Sequence, residues 1–155
     1  MSKKIDGVVF LCFDPREEAN LWKNVKGELI LPSQRFHPVG QLGTAVVLAM
    51  PAYFPVKFAA IMEDTRFALE EFARGNFILI GHDCGIYKLL KTQKPTTLIQ
   101  KVQDTISGAK CLQEHFPNIP ISVWFKKTFS LEDEVLNKYN RLPSTRSFQQ
   151  IYTSR

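Results

Sequence analysis

Cysteine and histidine side chains follow two short apolar segments that lie far apart in the chain. The first segment, residues 7–12, ends at Cys12, and the second, residues 77–80, leads through a glycine into His82 and Cys84. Short apolar runs bounded by turn-forming residues are typical of buried strands. The carboxyl ends of parallel strands lie on one edge of a sheet, so these side chains are expected to meet there. Two thiols and one imidazole are ligands that zinc prefers, and such a set with an open fourth position is typical of catalytic zinc.

Two charged residues closely follow the first cysteine. Asp14 and Arg16 lie two and four positions after Cys12, and in an extended chain their side chains would share its face. Two roles are open to Asp14: it could be a fourth zinc ligand, or it could accept the proton or hydrogen bond of a water on the zinc. Arg16 would hold the carboxylate in place through a bidentate contact. We therefore interpret Asp14 and Arg16 as candidate catalytic residues.

The order of apolar segments predicts an α/β fold. Strands that alternate with helices imply a mostly parallel sheet of four to five strands, flanked by helices on both faces. The predicted strands are 7–12, 28–31, 77–80 and 121–125, and the predicted helices are 17–26, 65–74, 98–116 and 131–139. Residues 33–43 are predicted to be a loop, Asp64 is predicted to be an N-cap, and 44–50 is open to helix or strand. We expect a single domain over 1–155, with a core at about 5–127 and a C-terminal helix and arm at about 128–155.

Composition and charge narrow the class of protein. The chain carries a formal net charge of +5, but its basic residues are scattered, so no nucleic-acid-binding face is expected. Three widely spaced cysteines favour a reduced, cytoplasmic setting over a disulfide framework. No secretory signal is evident, and the longest apolar stretch is too short to cross a membrane. Twelve phenylalanines predict an apolar surface, and with it a homodimer or a larger homo-oligomer.

The motifs at the two strand ends resemble those of the β-class carbonic anhydrases. Cys12-x-Asp14-x-Arg16 follows the first predicted strand, and Gly-His82-Asp-Cys84-Gly follows the third. The order of elements is similar from residue 7 to about residue 125. The resemblance implies a carbonic-anhydrase-like sheet in which Cys12, His82 and Cys84 bind Zn²⁺. It also implies that Asp14 and Arg16 orient the metal-bound water. Zinc-bound hydroxide would then hydrate carbon dioxide reversibly to bicarbonate and a proton, which is a lyase reaction.

Three polar residues of the predicted 33–43 loop are further candidates for contact with substrate. Loops beside a sheet often contribute to binding sites. His37 is a candidate proton shuttle, because an imidazole titrates near neutral pH. Gln34 and Gln41 are candidates for orienting bicarbonate. The alternative for all three is a solvated position in the loop.

The chain departs from the family pattern in ways that keep other functions open. One residue separates His82 from Cys84, whereas the family has His-x-x-Cys, so the site must be rebuilt locally or lose a ligand. The first predicted strand begins near residue 7, whereas the family commonly has an N-terminal helical extension before it, and the family's Arg-Asn-Ala-Gly stretch is not recognisable at 34–40. A catalytically silent zinc-binding or metal-free module of the same fold is therefore the alternative. A hydrolase of carbonyl sulfide or carbon disulfide is another.

Overall fold

The computed structural model describes residues 5–13, 18–71, 75–88, 97–127 and 138–154. The strands in these ranges are β1 (Gly7–Phe10), β2 (Phe36–Val39), β3 (Phe77–Gly81), β4 (Ile121–Lys126) and β5 (Phe148–Thr153). The α-helices are α1 (Glu18–Glu28), α2 (Thr44–Ala49), α3 (Pro55–Glu71) and α4 (Leu98–His115), and 3₁₀ turns cover Pro51–Tyr53 and Gly85–Lys88.

The strands form a sheet in the order β2-β1-β3-β4-β5. The pairs β1–β2, β1–β3 and β3–β4 are parallel, and β5 is antiparallel to β4. The predicted α/β class, with a mostly parallel sheet flanked by helices, is confirmed. The strand order reverses direction between β1 and β3, and the carboxyl ends of strands at such a switch point are where open α/β sheets bind ligands.

The two faces of the sheet are covered by different helices. Val8 and Phe10 of β1 pack in a cluster with apolar residues of α2, α3 and α4. Val9 and Leu11 face the opposite way and pack in a second cluster with residues of α1 such as Leu21. Because both faces are buried, β1 and β3 have continuous apolar sequences rather than alternating ones.

Several predicted elements match the structure within a few residues. The strands predicted at 7–12, 77–80 and 121–125 correspond to β1, β3 and β4, and the helix predicted at 98–116 is α4. The segment 44–50, which was open to helix or strand, contains α2. Within the described residues, none of the helices has the length and apolar character needed to span a membrane.

The prediction of a strand at 28–31 is wrong. Helix α1 continues to Glu28, and the backbone N–H groups of Leu29 and Ile30 both donate to the carbonyl oxygen of Val25. The apolar residues that were predicted to form a strand instead lie at the end of α1. Ile30 is buried in the cluster that contains Leu21 of α1. The second strand is β2, inside the segment predicted to be a loop. It contains Pro38 and lies at the edge of the sheet, where a missing N–H is tolerated.

Two predictions about the ends of elements also change. Asp64 lies inside α3 and is not an N-cap, because the helix begins at Pro55, a residue that suits the first helical position. The predicted C-terminal arm contains β5, which pairs with β4. Most of the helix predicted at 131–139 lies outside the described residues.

Candidate metal centre

The side chains of Cys12, His82 and Cys84 meet at the carboxyl ends of β1 and β3. Their ligand atoms all lie within 4.8 Å of one another. The three residues are 2%, 7% and 4% exposed, respectively. This group could bind a metal ion, as the positions of the three residues at two strand ends predicted.

The register of the sheet explains why these distant residues meet. Phe10 of β1 pairs with Leu79 of β3, and Cys12 follows Phe10 by two positions, just as Gly81 follows Leu79. Beyond the end of β1, the Leu11 N–H donates to the Val39 carbonyl oxygen over 3.2 Å, which holds the chain against β2. The cluster therefore lies at the switch point between β1 and β3.

The single residue between His82 and Cys84 does not remove Cys84 from the cluster. Where a chain is extended, residues i and i+2 point to the same side, and residue i+1 points away. Asp83 accordingly pairs with Lys101 on α4, while His82 and Cys84 both join Cys12. The short spacing is thus compatible with two ligands from one segment.

Gly43, at the start of α2, contacts the first cysteine through its backbone. Its N–H donates to the sulfur of Cys12 over 3.1 Å, and its φ of 75° lies in the left-handed region that favours glycine. A Cβ at this position would lie 2.5 Å from the side chain of Ile86. Sequence reasoning did not identify Gly43 as a site residue. A glycine directly before an apolar helix was the only available signal.

The surroundings of Cys12 favour its thiolate form. The hydrogen bond with the Cys84 thiol, whose sulfur lies 3.8 Å away, has the largest effect and lowers the pKa of Cys12. Burial opposes this effect, but the nearby His82 ring and the Gly43 N–H lower the pKa further. The net result is a pKa well below the ordinary range for a thiol. A thiolate is the form of cysteine that binds metal ions.

The His82 ring has a nitrogen without a partner among the described residues. Its Nε2 atom is buried and makes no hydrogen bond with any residue that the structure describes. Buried polar atoms are nearly always paired, because an unpaired one costs roughly 1–3 kcal/mol. A metal ion would satisfy this nitrogen, since imidazole nitrogens are common metal ligands.

A polar network on the first turns of α4 borders the cluster. The Tyr87 hydroxyl donates to Asp104 Oδ2 over 2.8 Å, and Gln100 Nε2 donates to Asp104 Oδ1 over 3.0 Å. Lys101 pairs with Asp83 and lies over the Tyr87 ring, 5.2 Å from its centroid. Burial, followed by the hydrogen bond to Asp104, raises the pKa of Tyr87. The tyrosine hydroxyl therefore stays protonated and acts as a donor.

The other predicted site residues are placed differently. Asp14 and Arg16 lie outside the described residues. The Gln41 backbone is next to the cluster, because its carbonyl oxygen accepts a hydrogen bond from the Phe13 N–H. His37 pairs with Val8 in the sheet, four positions before Cys12, or roughly 13 Å along the strand.

Gln34 lies near the amino ends of the strands, whereas the metal-ligand cluster lies at their carboxyl ends. It is exposed and lines a cavity of about 300 Å³ together with residues at the amino ends of β3 and β4, such as Phe77 and Ile121. The structure therefore brings together the three predicted metal ligands, with Gln41 near them, and does not bring Gln34 or His37 to them. A comparison with family models finds no match, and comparisons with curated proteins and with solved structures find none either.

Proposed function

We propose that the protein binds Zn²⁺ through Cys12, His82 and Cys84 and uses it to hydrate carbon dioxide reversibly. The observation that carries the proposal is the convergence of three buried ligand residues, together with a buried nitrogen of His82 that has no partner among the described residues. The motif resemblance to the β-class carbonic anhydrases supports the same reaction. On this proposal the chain is a short, divergent member of that family.

The donor set fits zinc in type and in spacing. Thiolate and imidazole ligands suit zinc, whereas carboxylate and carbonyl ligands suit magnesium and calcium. Two thiolates on a tetrahedral zinc, with bonds of about 2.3 Å, lie about 3.8 Å apart. The two sulfur atoms are separated by 3.8 Å in this structure. Metal binding at Cys12 and Cys84 therefore requires little rearrangement of the chain.

Each residue of the site has a part in the proposed reaction. When bound, zinc would lower the pKa of a coordinated water towards about 7. Cys12, with the Gly43 N–H on its sulfur, holds negative charge next to the metal position. Phe13 and Leu42, each 36% exposed, provide apolar surface beside Cys12 and Gly43 that suits a small uncharged substrate. Asp14 is proposed to accept the proton that hydration releases, and Arg16 is proposed to hold the Asp14 carboxylate in place.

A zinc module without turnover is the second candidate, and the burial of the ligands favours it. All three ligand side chains are buried. Structural zinc sites are closed by four protein ligands, whereas catalytic sites keep an open position. If Asp14 fills the fourth position permanently, the site would be closed and the protein would bind zinc without hydrating carbon dioxide.

Stopped-flow measurement of carbon dioxide hydration by the zinc-loaded protein tests the catalytic proposal. We expect turnover by the wild-type protein, loss of turnover in Cys84→Ser and retention of it in Cys111→Ser, which removes the cysteine outside the cluster. Bound zinc without hydration at any alkaline pH would overturn the proposal and support the closed module. The same variants are also assayed with carbonyl sulfide and carbon disulfide. Turnover of either compound without hydration of carbon dioxide would identify a related hydrolase instead.

A further inference from the structure

The segment that carries two of the three ligands is fixed to one face of α4. Four residues on that helix contact residues 81–87 or support that contact: Gln100, Lys101, Asp104 and Thr105. Gln100 and Asp104 are four positions apart, as are Lys101 and Thr105, so the members of each pair are neighbours on the helix surface. His82 and Cys84 lie in the middle of the segment that this face contacts.

Two contacts hold the segment on either side of Cys84. Before it, Asp83 forms an ion pair with Lys101, whose side chain is only 16% exposed. After it, the Tyr87 hydroxyl donates to the buried carboxylate of Asp104. The amide nitrogen of Tyr87 also lies 3.5 Å from the Cys84 carbonyl oxygen, so the tyrosine is connected directly to the ligand's backbone.

The close approach of α4 depends on Gly81. A Cβ on Gly81 would clash with the hydroxyl and the methyl group of Thr105. The absence of a side chain at the end of β3 therefore lets α4 lie directly against the strand from which His82 emerges. Thr105 is fixed in turn, because its hydroxyl donates to the Lys101 carbonyl oxygen over 2.9 Å.

The Asp104 carboxylate at the centre of the network is buried, and both of its oxygens are paired. Burial of charged groups is unfavourable unless each one is hydrogen-bonded, and such groups are weak evidence for stability alone. Both oxygens of Asp104 accept a hydrogen bond, one from Tyr87 and one from Gln100. Groups of this kind around metal ligands orient them before the metal arrives.

We propose that Tyr87, Asp104 and Lys101 are positioning residues that hold His82 and Cys84 in ligand geometry on the surface of α4. This role rests on the proposed metal site, but it also predicts a property of the metal-free chain. Without these contacts, the 82–84 segment would sample other conformations, and each ligand would have to be ordered at the moment of binding.

The experiment compares Tyr87→Phe with Tyr152→Phe in a Cys111→Ser background. Tyr152 is a matched control, because its hydroxyl also donates to a side chain on α4, Gln113, over 2.9 Å, but near the other end of the helix. Three quantities are measured: zinc affinity by chelator competition, the ligand-field spectrum of the Co²⁺-loaded protein, and the rate of Cys84 alkylation in the metal-free protein.

We expect Tyr87→Phe to weaken zinc binding by about 10-fold to 100-fold and to alter the Co²⁺ spectrum. We also expect it to accelerate Cys84 alkylation by about tenfold. Tyr152→Phe should leave all three quantities unchanged. Equal behaviour of the two variants would overturn the positioning role, even if zinc binds. If the wild-type protein binds no zinc, the proposed function fails, and the alkylation rates alone decide the positioning role.

Lys101→Met provides a second variant in case Tyr87→Phe does not fold. Its control is Lys110→Met, which changes an exposed lysine on the same helix. Faster Cys84 alkylation in Lys101→Met alone supports the positioning role, and equal rates in both variants contradict it.

Discussion

The sulfur atoms of Cys12 and Cys84 lie 3.8 Å apart, although 72 positions separate the two residues in the sequence. Neither residue is in a disulfide. The relationship follows from the parallel pairing of β1 and β3, whose carboxyl ends meet at the switch point of the sheet.

The pair of thiols should be open to oxidation in the metal-free protein. We expect the diazene oxidant diamide to take up two electrons and two protons and to join Cys12 and Cys84 in a disulfide, because the sulfur atoms are already close. Bound zinc should slow the reaction, since its ligands are the same sulfur atoms. Mass spectrometry of peptides from both forms measures the outcome. Equal oxidation with and without zinc would show that these sulfur atoms do not hold the metal.

Replacement of Gly43 should destabilise the fold more than replacement of Gly75. Both glycines have positive φ, but a Cβ at Gly43 meets the side chain of Ile86, whereas a Cβ at Gly75 has no neighbour within 4 Å among the residues that the structure describes. We expect Gly75→Ala to cost about 1 kcal/mol of unfolding free energy, which is the backbone effect alone. Gly43→Ala should cost about 2–4 kcal/mol, because overpacking adds to it. Urea denaturation of the two variants measures the difference, and equal costs would contradict the packing of Ile86 on Gly43.

Glu28 should contribute to stability at neutral pH and lose that contribution in acid. Burial favours the protonated form of Glu28, but hydrogen bonds from Ser147, together with Thr145 and the charge of Arg146, outweigh it and lower the pKa. A carboxyl group whose pKa is lower in the folded chain stabilises the fold fully above its ordinary pKa of 4.5. That stabilisation disappears as the pH falls through the lowered value.

Denaturation midpoints of the wild type and Glu28→Gln test this linkage. The variant should be less stable than the wild type at neutral pH, and the two should converge in acid. Glu70→Gln, at an exposed position on α3, is the control and should follow the wild type throughout. A difference between wild type and Glu28→Gln that does not change with pH would show that the Ser147 contact does not depend on the carboxylate charge.

The elements and ligands that were predicted correctly lie in segments with strong local sequence patterns. The apolar runs that became β1 and β3 have no competing interpretation, and the ligands directly follow them, so Cys12, His82 and Cys84 could be predicted to meet. Helix α4 could be predicted because its apolar residues keep one register over many turns and Thr97 caps its first turn.

The misplaced elements depend on tertiary contacts that a linear pattern does not contain. Residues 28–31 have the apolar pattern of a strand. Ile30 is nevertheless buried for another reason, because it packs where the end of α1 meets the sheet. β2 contains His37 and Pro38 and is stable as an edge strand only because β1 provides its partner. The placement of His37 and Gln34 away from the cluster, and the contact of Gly43 with Cys12, likewise follow from pairing across the chain.

The zinc content of the purified protein tests directly whether Cys12, His82 and Cys84 bind the metal. We expect close to one zinc ion per chain in the wild type and in Cys111→Ser, and loss of zinc in Cys12→Ser, His82→Ala and Cys84→Ser. Circular dichroism of each variant should confirm that it is folded. A folded wild-type protein without zinc, or full zinc retention in folded Cys84→Ser, would show that these residues do not form a zinc site.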